Sequence, residues 1–434
     1  MVLMTPTASV NRSEFLALVR SSGLVSSNAL DRVARGLSHA ATSGDEVSRV
    51  LVDAGLLTEF QASRLLAGKT DGLVVGQYHI LNQIGKSSVG RVYRARHQTM
   101  NRLVAIKVLA AEQTRDPARR EAFRDEARSA AQLAHPNVVT VLDVNQLGDR
   151  LYLVLEYVDG VSLDRLVREG GPLSVARACD FVRQALLGLA HAHQKRMAHG
   201  AITPTTLLVG RPGGKGRADR PEVKVANFGL GRVADTMDDD DPSDYLAPEL
   251  ANASTRATPA ADLYGIGGTL FYLLTGRAPF EGSSSPDIAQ LRRDVPAPVA
   301  NLIRAMLSRA PEYRPADAEQ VAAALAPFAA GHDSGQIEFA VLQSSGPASA
   351  NGAFLSGMLN PPEADLTDTS PWSELDGQTL DEDAGLTPIA TSGNDQRWGE
   401  RTFRATLGYA AMILMMFAAA GTAAGFLIGW ITSK

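Results

Sequence analysis

A change in the hydrophobic pattern near Gly76 places the strongest constraint on the fold. From this point five short segments have the alternation and β-branched content of strands, and one charged helical segment lies among them. Beyond Gly160 the apolar residues recur at helical spacing as far as Phe328. The predicted strands are Tyr78–Ile84, Arg91–Arg96, Leu103–Leu109, Val138–Val144 and Leu151–Tyr157, and the predicted helix is Asp116–Leu133. Strands followed by a run of helices predict an α+β domain with two lobes, residues 76–158 and 159–329.

The preceding segment, residues 1–72, is predicted to form a small helical unit. Its apolar residues recur at helical spacing, and Ser43 followed three residues later by Glu46 is the pattern of a helix capping box. Gly55 and Gly68 stand where glycines end helices. The unit holds no group of titratable side chains that indicates chemistry, so we expect a docking or packing module.

Composition excludes several classes of protein. Hydrophobic residues make up 45% and charged residues 21% of the chain, which is ordinary globular usage and excludes a collagen-like or wholly disordered chain. The net charge of −5 argues against nucleic acid as a partner. The single cysteine, Cys179, can form no internal disulfide, which fits a reducing compartment.

Two unusual stretches follow the predicted two-lobed domain. Residues 330–406 are predicted to be an acidic disordered linker, because residues 331–396 contain eleven Asp or Glu and no Lys or Arg. Residues 407–431 then run without a charged side chain. A helix of this length covers about 37 Å, enough for a bilayer hydrocarbon core of about 30 Å. The run therefore predicts one C-terminal transmembrane helix.

The charges that flank this run predict its orientation. Arg397, Arg401 and Arg404 precede it, and Lys434 follows it. The positive-inside rule then predicts that the two-lobed domain faces the cytoplasm. Within the run, glycines at four-residue spacing allow close helix packing and suggest a homodimer. These glycines are Gly421, Gly425 and Gly429.

Three features in a fixed order indicate a phosphate site. Gly85 and Gly90 lie at the turn between the first two predicted strands, where the missing Cβ lets backbone amides approach a phosphate. Lys107 lies on the third predicted strand. A buried lysine needs a counter-charge, and Glu126 of the following helix can supply it. The order of glycine turn, strand lysine and helix glutamate is far more specific than any one of them.

This order resembles the protein kinase family, in particular the bacterial eukaryotic-like serine/threonine kinases. The resemblance extends from Gly76 to Phe328, and further matches follow in the family's order. They are the segment His135-Pro136-Asn137, the hinge Leu155-Glu156-Tyr157-Val158, the motif Ala247-Pro248-Glu249, the buried aspartate Asp262 and Arg314 as partner of Glu249. The resemblance implies a bilobal protein-kinase fold with a five-stranded N-lobe and a helical C-lobe.

The resemblance also implies an ATP site between the lobes. The hinge backbone would hold the adenine and Lys107 the phosphates. The sequence leaves open whether Lys107 serves a phosphate or only pairs with Glu126. The residues expected at the nucleotide are Gly85, Gly90, Val92, Ala105, Lys107, Glu126, Glu156 and Val158.

The family's catalytic groups are replaced at the matching positions. Ala201 stands in place of the aspartate that accepts the substrate proton, and Thr203 in place of the lysine that steadies the phosphate. Thr206 and Asn227 stand in place of the asparagine and aspartate that hold magnesium, and a neutral amide is a poor ligand for a hard dication. Gly200 replaces the arginine that would receive an activating phosphate. We therefore expect no catalytic residue and no bound metal.

These losses predict a membrane-tethered pseudokinase that acts as a scaffold or allosteric partner of other proteins and binds ATP weakly, without metal. Two alternatives remain open. The first is an atypical active serine/threonine kinase that takes its acids from Asp238–Asp241. The second is a membrane-surface organiser that binds no nucleotide.

Overall fold

A computed structural model describes most of the chain before residue 330. The predicted linker, residues 330–406, and the predicted membrane helix, residues 407–431, lie outside the described part, so both stay predictions. No helix in the described part is both long enough and apolar enough to cross a bilayer. The described residues are 10–37, 43–87, 90–148, 150–210, 221–228, 243–251, 255–280 and 287–329.

Residues 12–66 contain four short helices with a core of their own. They are α1 (Arg12–Ser21), α2 (Ser27–Gly36), α3 (Gly44–Asp53) and α4 (Glu59–Leu66). Their buried faces meet in one apolar cluster that includes Phe15, Leu30, Leu51 and Leu65. The predicted capping box of α3 is confirmed, because Ser43 and Glu46 each bond the other's backbone amide. Gly55 and Gly68 follow α3 and α4 with φ of 67° and 71°, as expected for helix ends.

The N-lobe is an antiparallel sheet of six strands, one more than the sequence predicts. The strands are β1 (Val74–Val75), β2 (Tyr78–Ser87), β3 (Gly90–His97), β4 (Leu103–Leu109), β5 (Val141–Leu147) and β6 (Arg150–Glu156), in the order β1-β2-β3-β4-β6-β5. The prediction missed β1 because a strand of two residues has no alternating pattern to detect. Between β4 and β5 lie α5 (Ala111–Thr114) and α6 (Pro117–Ala130).

The C-lobe is helical and carries a small three-stranded sheet. Its strands are β7 (Gly160–Ser162), β8 (Leu207–Gly210) and β9 (Glu222–Val225). Its helices are α7 (Leu163–Gly170), α8 (Val175–Gln194), α9 (Pro259–Thr275), α10 (Ile288–Leu291), α11 (Ala297–Met306) and α12 (Ala318–Ala329). Every residue of α9 from Ala261 to Leu274 is buried, as expected for a helix at the centre of a domain. The predicted two-lobed α+β fold is confirmed.

Helix α4 attaches the helical unit to the N-lobe through buried hydrogen bonds. Gln61, which is 4% exposed, donates from Nε2 to Ile80 O at 2.6 Å. Thr58 donates from Oγ1 to Leu81 O at 2.5 Å. The register of β2 against β3 shifts between Ile80 and Asn82, and such an irregularity leaves backbone groups of a strand without ladder partners. The two side chains thus bind β2 at its irregular point.

The same two side chains also cap α4. Thr58 N donates to Gln61 Oε1 at 2.8 Å, and Gln61 N donates to Thr58 Oγ1 at 3.2 Å. Phe60, which lies between them, places its ring centre 6.4 Å from that of Tyr93 on β3. A Thr followed three residues later by Gln is visible in the sequence, but it signals only the cap. The helical unit is therefore joined to the two strands that carry the glycine turn.

Replacing Gln61 with alanine is expected to lower the free energy of unfolding by about 1–3 kcal/mol, because a buried carbonyl loses its donor. Urea unfolding of the full chain, followed by circular dichroism, measures the change. Gln320 is an exposed glutamine on α12, and Q320A is the matched control, with an expected change within about 0.5 kcal/mol. Equal small losses in both variants would show that Gln61 does not hold the unit in place.

Candidate functional site

Five of the eight residues predicted to surround a nucleotide lie on three neighbouring strands of the N-lobe sheet. Ala105 and Lys107 are two residues apart on β4, so their side chains share a face. Val92 on β3 is paired directly with Lys107. Lys107 is 5% exposed, which makes it a buried cation. Gly85 on β2 and Gly90 on β3 lie at the turn that joins these strands.

Gly90 is required by packing, whatever ligand the turn holds. A Cβ at this position would lie 2.0 Å from Val108 O, and the φ of 154° is one that other residues rarely adopt. At Gly85 an added Cβ would meet Val92 at 3.6 Å, an ordinary contact. The close approach of β3 to β4 therefore explains Gly90 by itself.

Lys107 contacts the residue that stands at the expected metal-binding position. Its Nζ donates to Asn227 Oδ1 at 3.4 Å. Asn227 has a φ of 68°, in the left-handed region that asparagine and aspartate enter more readily than most residues. Glu126, the partner predicted for Lys107, is half-buried on α6, and its pairing with Lys107 stays a prediction. The site thus holds an ammonium group against a neutral amide.

The hinge side chains are bound by residues of both lobes. Glu156 Oε1 lies 3.1 Å from Lys224 Nζ on β9, and Glu156 Oε2 accepts a hydrogen bond from Thr140 N at 3.3 Å. The backbone amide of Glu156 is engaged as well, because Glu156 N donates to Thr140 O at 2.9 Å. Val158, the other hinge residue predicted at the nucleotide, is half-buried.

One hinge contact has no signal in the sequence. The guanidinium carbon of Arg94 on β3 lies 5.2 Å from the ring centre of Tyr157, within the range of a cation–π contact. Sequence reasoning missed Arg94, because its partner is fixed by the register of three strands and not by spacing along the chain. Arg94 therefore contacts the ring of the hinge residue Tyr157 from the N-lobe sheet.

The loop at the expected catalytic position is held by its own hydroxyl groups. Thr206 Oγ1 accepts from Thr203 N at 3.0 Å and donates to Thr203 O at 2.9 Å. The hydroxyl oxygens of Thr203 and Thr205 are 2.7 Å apart. Ala201 is half-buried beside them, and a methyl group can neither accept nor deliver a proton. The loop is ordered without the polar groups that chemistry would need.

These residues do not fit a magnesium ion. Magnesium binds through one or two carboxylates and demands nearly octahedral oxygen ligands. Thr206 Oγ1 already donates and accepts within its loop, and Asn227 Oδ1 faces the ammonium of Lys107. No step through magnesium follows from this arrangement.

Asp262 is buried, as the sequence predicts, and it fixes the start of the loop. It is 1% exposed and accepts from His199 N at 2.8 Å and from Gly200 N at 2.6 Å. Its Oδ2 also lies 2.8 Å from His193 Nε2. Gly200 has a φ of 77°, and a Cβ there would lie 2.6 Å from that of Ala257. The position where the family carries an arginine is therefore closed to a side chain in this conformation.

His199 is held as a neutral ring. Its Nε2 lies 2.7 Å from Ala226 O and its Nδ1 accepts from Ala201 N at 3.2 Å. One nitrogen donates and the other accepts, which only the neutral imidazole can do. Burial lowers the pKa of His199 below its ordinary value. The ring also packs edge-on against Phe228, with centres 4.9 Å apart.

The folded chain is expected to lose stability in mild acid because of His199. In the unfolded chain this ring takes up a proton near its ordinary pKa of about 6.5, whereas the folded chain resists protonation. The stabilisation is present above that pH and is lost, by up to about 1.4 kcal/mol per pH unit, as the pH falls below it. Urea midpoints across this range test the effect. His199→Gln keeps a donor and an acceptor without a titrating group, so a pH slope unchanged in this variant would contradict the assignment.

The predicted pairing of Glu249 with Arg314 is confirmed. The Arg314 side chain is fully buried, and its two terminal nitrogens donate to the two Glu249 oxygens at 2.6 and 2.8 Å. Burial alone would raise the pKa of Glu249, but the hydrogen bonds from Arg314 outweigh it and hold the pKa below its usual value. This pair joins two loops of the C-lobe.

Comparison with known proteins identifies the family to which the chain belongs. The protein kinase domain model matches residues 78–325, more than half of the chain. The chain is 33% identical over 277 residues to the serine/threonine-protein kinase PrkC of Bacillus subtilis (strain 168), covering 60% of this chain and 41% of that protein. It is 32% identical over 284 residues to the serine/threonine-protein kinase pkn3 of Myxococcus xanthus, covering 59% and 50%. The chain belongs to the protein kinase domain family.

A solved structure gives the same fold. The kinase domain of Mycobacterium tuberculosis PknI aligns with a TM-score of 0.50 at 24% identity, covering 59% of this chain and 98% of that domain. At this identity the likeness shows the fold alone. The chain spans half or less of the length of the two curated relatives.

Proposed function

We propose that the chain is a serine/threonine-kinase-like pseudokinase that does not transfer phosphate. The observation that carries the proposal is the contact between Lys107 and Asn227, which places a cation and a neutral amide where transfer needs a carboxylate-bound metal. Ala201 adds the loss of the proton acceptor. Phosphoryl transfer depends on positioning and on metal electrostatics, so the loss of both groups removes the chemistry while the fold remains.

Within this proposal the site binds ATP weakly and without metal. The buried ammonium of Lys107 can neutralise a phosphate, and it lies on the same sheet face as Val92 and Ala105. These two apolar side chains, with the hinge backbone, suit an adenine ring, because ligand pockets are mostly apolar with a few placed polar groups. The third candidate role is a membrane-surface organiser that binds no nucleotide. In that role Lys107 would contact only other residues of the fold.

An atypical active kinase is the competing proposal, and the names of the relatives favour it. PrkC and pkn3 are both called serine/threonine-protein kinases. Activity here would require acids to replace Ala201 and Asn227, and the sequence offers the acidic run Asp238–Asp241. That run lies outside the described residues, so it supplies no geometry in support of activity.

The proposed role is that of a scaffold or allosteric partner held at the cytoplasmic face of a membrane. Support comes from the uncharged residues 407–431 and from the acidic residues 331–396 before them. Gly421, Gly425 and Gly429 would pair two such helices. Alkaline extraction of membranes from expressing cells tests the anchor, and release of the chain into the soluble fraction would exclude it.

A thermal-shift titration of the full chain with ATP, in magnesium or in EDTA, separates the three roles. We expect ATP to raise the melting temperature in both buffers and K107M to remove the shift, because a ligand stabilises the state that it binds. A flat response in both buffers would favour the organiser. A shift that requires magnesium would favour the active kinase.

A further inference from the structure

The helical unit has a groove that the kinase-like site does not use. The groove has a volume of about 330 Å³ and lies between α2 and the end of α3. Apolar residues line it together with one arginine: Ala29, Val33, Ala54, Leu56 and Arg32. The groove is shallow and largely open to solvent, so it offers a surface to a chain segment and not an enclosed ligand cavity. An apolar floor beside an arginine suits a segment that has both apolar and acidic side chains.

The rim of the groove is positively charged. Arg32 also borders a second, more polar hollow on the outer side of α2, which Arg35 lines as well. The one acid there, Asp31, is paired with Arg20 at 2.5 Å. Arg35 donates its Nε to the backbone carbonyl of Asp31 at 3.2 Å, which does not offset its charge. Arg32 and Arg35 therefore give this face a net attraction for carboxylates.

The chain itself contains a segment of the complementary chemistry. Residues 363–376 read EADLTDTSPWSELD, with five acids and no Lys or Arg. The apolar side chains of the segment are Leu366, Trp372 and Leu375. We propose that this segment docks in cis on the α2–α3 groove, with Trp372 and Leu375 on the apolar floor and the neighbouring acids against Arg32 and Arg35.

The length of the intervening chain permits this docking. About 34 residues separate α12 from the segment and span up to about 110 Å when extended. A folded body of about 320 residues has a radius of gyration of about 20 Å, so the segment can reach any part of the surface. Because the segment belongs to the same chain, its local concentration at the groove is higher than that of a free partner. A low intrinsic affinity of the groove for the segment is therefore sufficient for docking within one chain.

The tryptophans of the chain provide a direct test. All three, Trp372, Trp398 and Trp430, lie outside the described residues, so W398F/W430F leaves Trp372 as the single reporter in the full chain. We expect its emission to be blue-shifted and its quenching by acrylamide to be severalfold weaker than for a free peptide of residues 363–376. R32E/R35E, on the exposed side of α2, should restore the emission and quenching of the free peptide.

Matched variants separate docking from other causes. R304E changes an exposed arginine on α11 and should leave the Trp372 signal unchanged, whereas L375S should expose Trp372 without altering the folded body. Raising the salt from about 0.05 to about 0.5 M should also weaken the protection. A free-peptide spectrum in the parent, or protection that persists in R32E/R35E, would overturn the proposal. Protection that disappears on dilution would assign the groove to a second copy and equally reject docking in cis.

Discussion

Replacing Arg314 with alanine is expected to lower the free energy of unfolding of the full chain by about 3–5 kcal/mol, as for other broken buried ion pairs. The guanidinium of Arg314 holds both oxygens of Glu249 and also donates to Ala260 O and Ser308 O, each at 2.9 Å. It lies 5.0 Å from the ring centre of Tyr264. Alanine would remove every one of these contacts and leave Glu249 without its counter-charge.

Two further variants make this test specific. Arg314→Lys keeps the charge but cannot bind both carboxylate oxygens, so we expect an intermediate loss. Arg304→Ala removes an exposed arginine whose guanidinium bonds Asn301, and its effect should stay within about 0.5 kcal/mol. Urea unfolding followed by circular dichroism compares the three. A loss below about 1 kcal/mol in R314A would mean that the pair does not hold the C-lobe together.

Asn227→Asp is expected to convert metal-independent ATP binding into magnesium-assisted binding. The change is nearly isosteric, and aspartate also tolerates the left-handed backbone that Asn227 adopts. The new carboxylate offers magnesium a ligand that the amide does not. We expect magnesium to tighten ATP binding by about tenfold, or about 1.4 kcal/mol, in N227D. In EDTA the variant should bind more weakly than the parent, because the carboxylate competes with phosphate for Lys107.

Calorimetric titration of ATP, in magnesium and in EDTA, measures both effects. Asn301 is an exposed asparagine on α11, so N301D adds the same charge away from the site and should behave like the parent. Magnesium that tightens ATP binding to the parent by the same factor as to N227D would show that the native site already holds the metal. That result would remove the main support for a metal-free site.

Much of the fold could be predicted because it depends on patterns that are local in sequence. The family's motifs are not needed to predict the two lobes, since strand alternation and helical spacing already separate them. The pairing of Glu249 with Arg314 and the burial of Asp262 follow from the family resemblance, and the structure confirms both. The degenerate positions Ala201 and Thr206 also fall where they were expected, in the loop before β8.

The remaining features of the fold and of the candidate site depend on contacts between residues far apart in the sequence, which no local pattern predicts. The contact of Lys107 with Asn227, 120 residues away, could not be predicted from spacing along the chain, and the pairing of Lys107 with Glu126 stays a prediction. Thr58 and Gln61 read as a helix cap, and their second role requires the irregularity of β2 to be known. The sequence therefore predicted the helical unit but not its attachment to the glycine-turn strands.

Transfer of labelled phosphate from ATP is the measurement that tests the proposed inactivity most directly. The full chain and K107M are incubated with magnesium or manganese, alone and with generic protein substrates, beside an active kinase as a positive control. We predict no labelling of the chain or of the substrates above the level seen with K107M. Labelling by the parent chain that K107M abolishes would contradict the assignment as a pseudokinase.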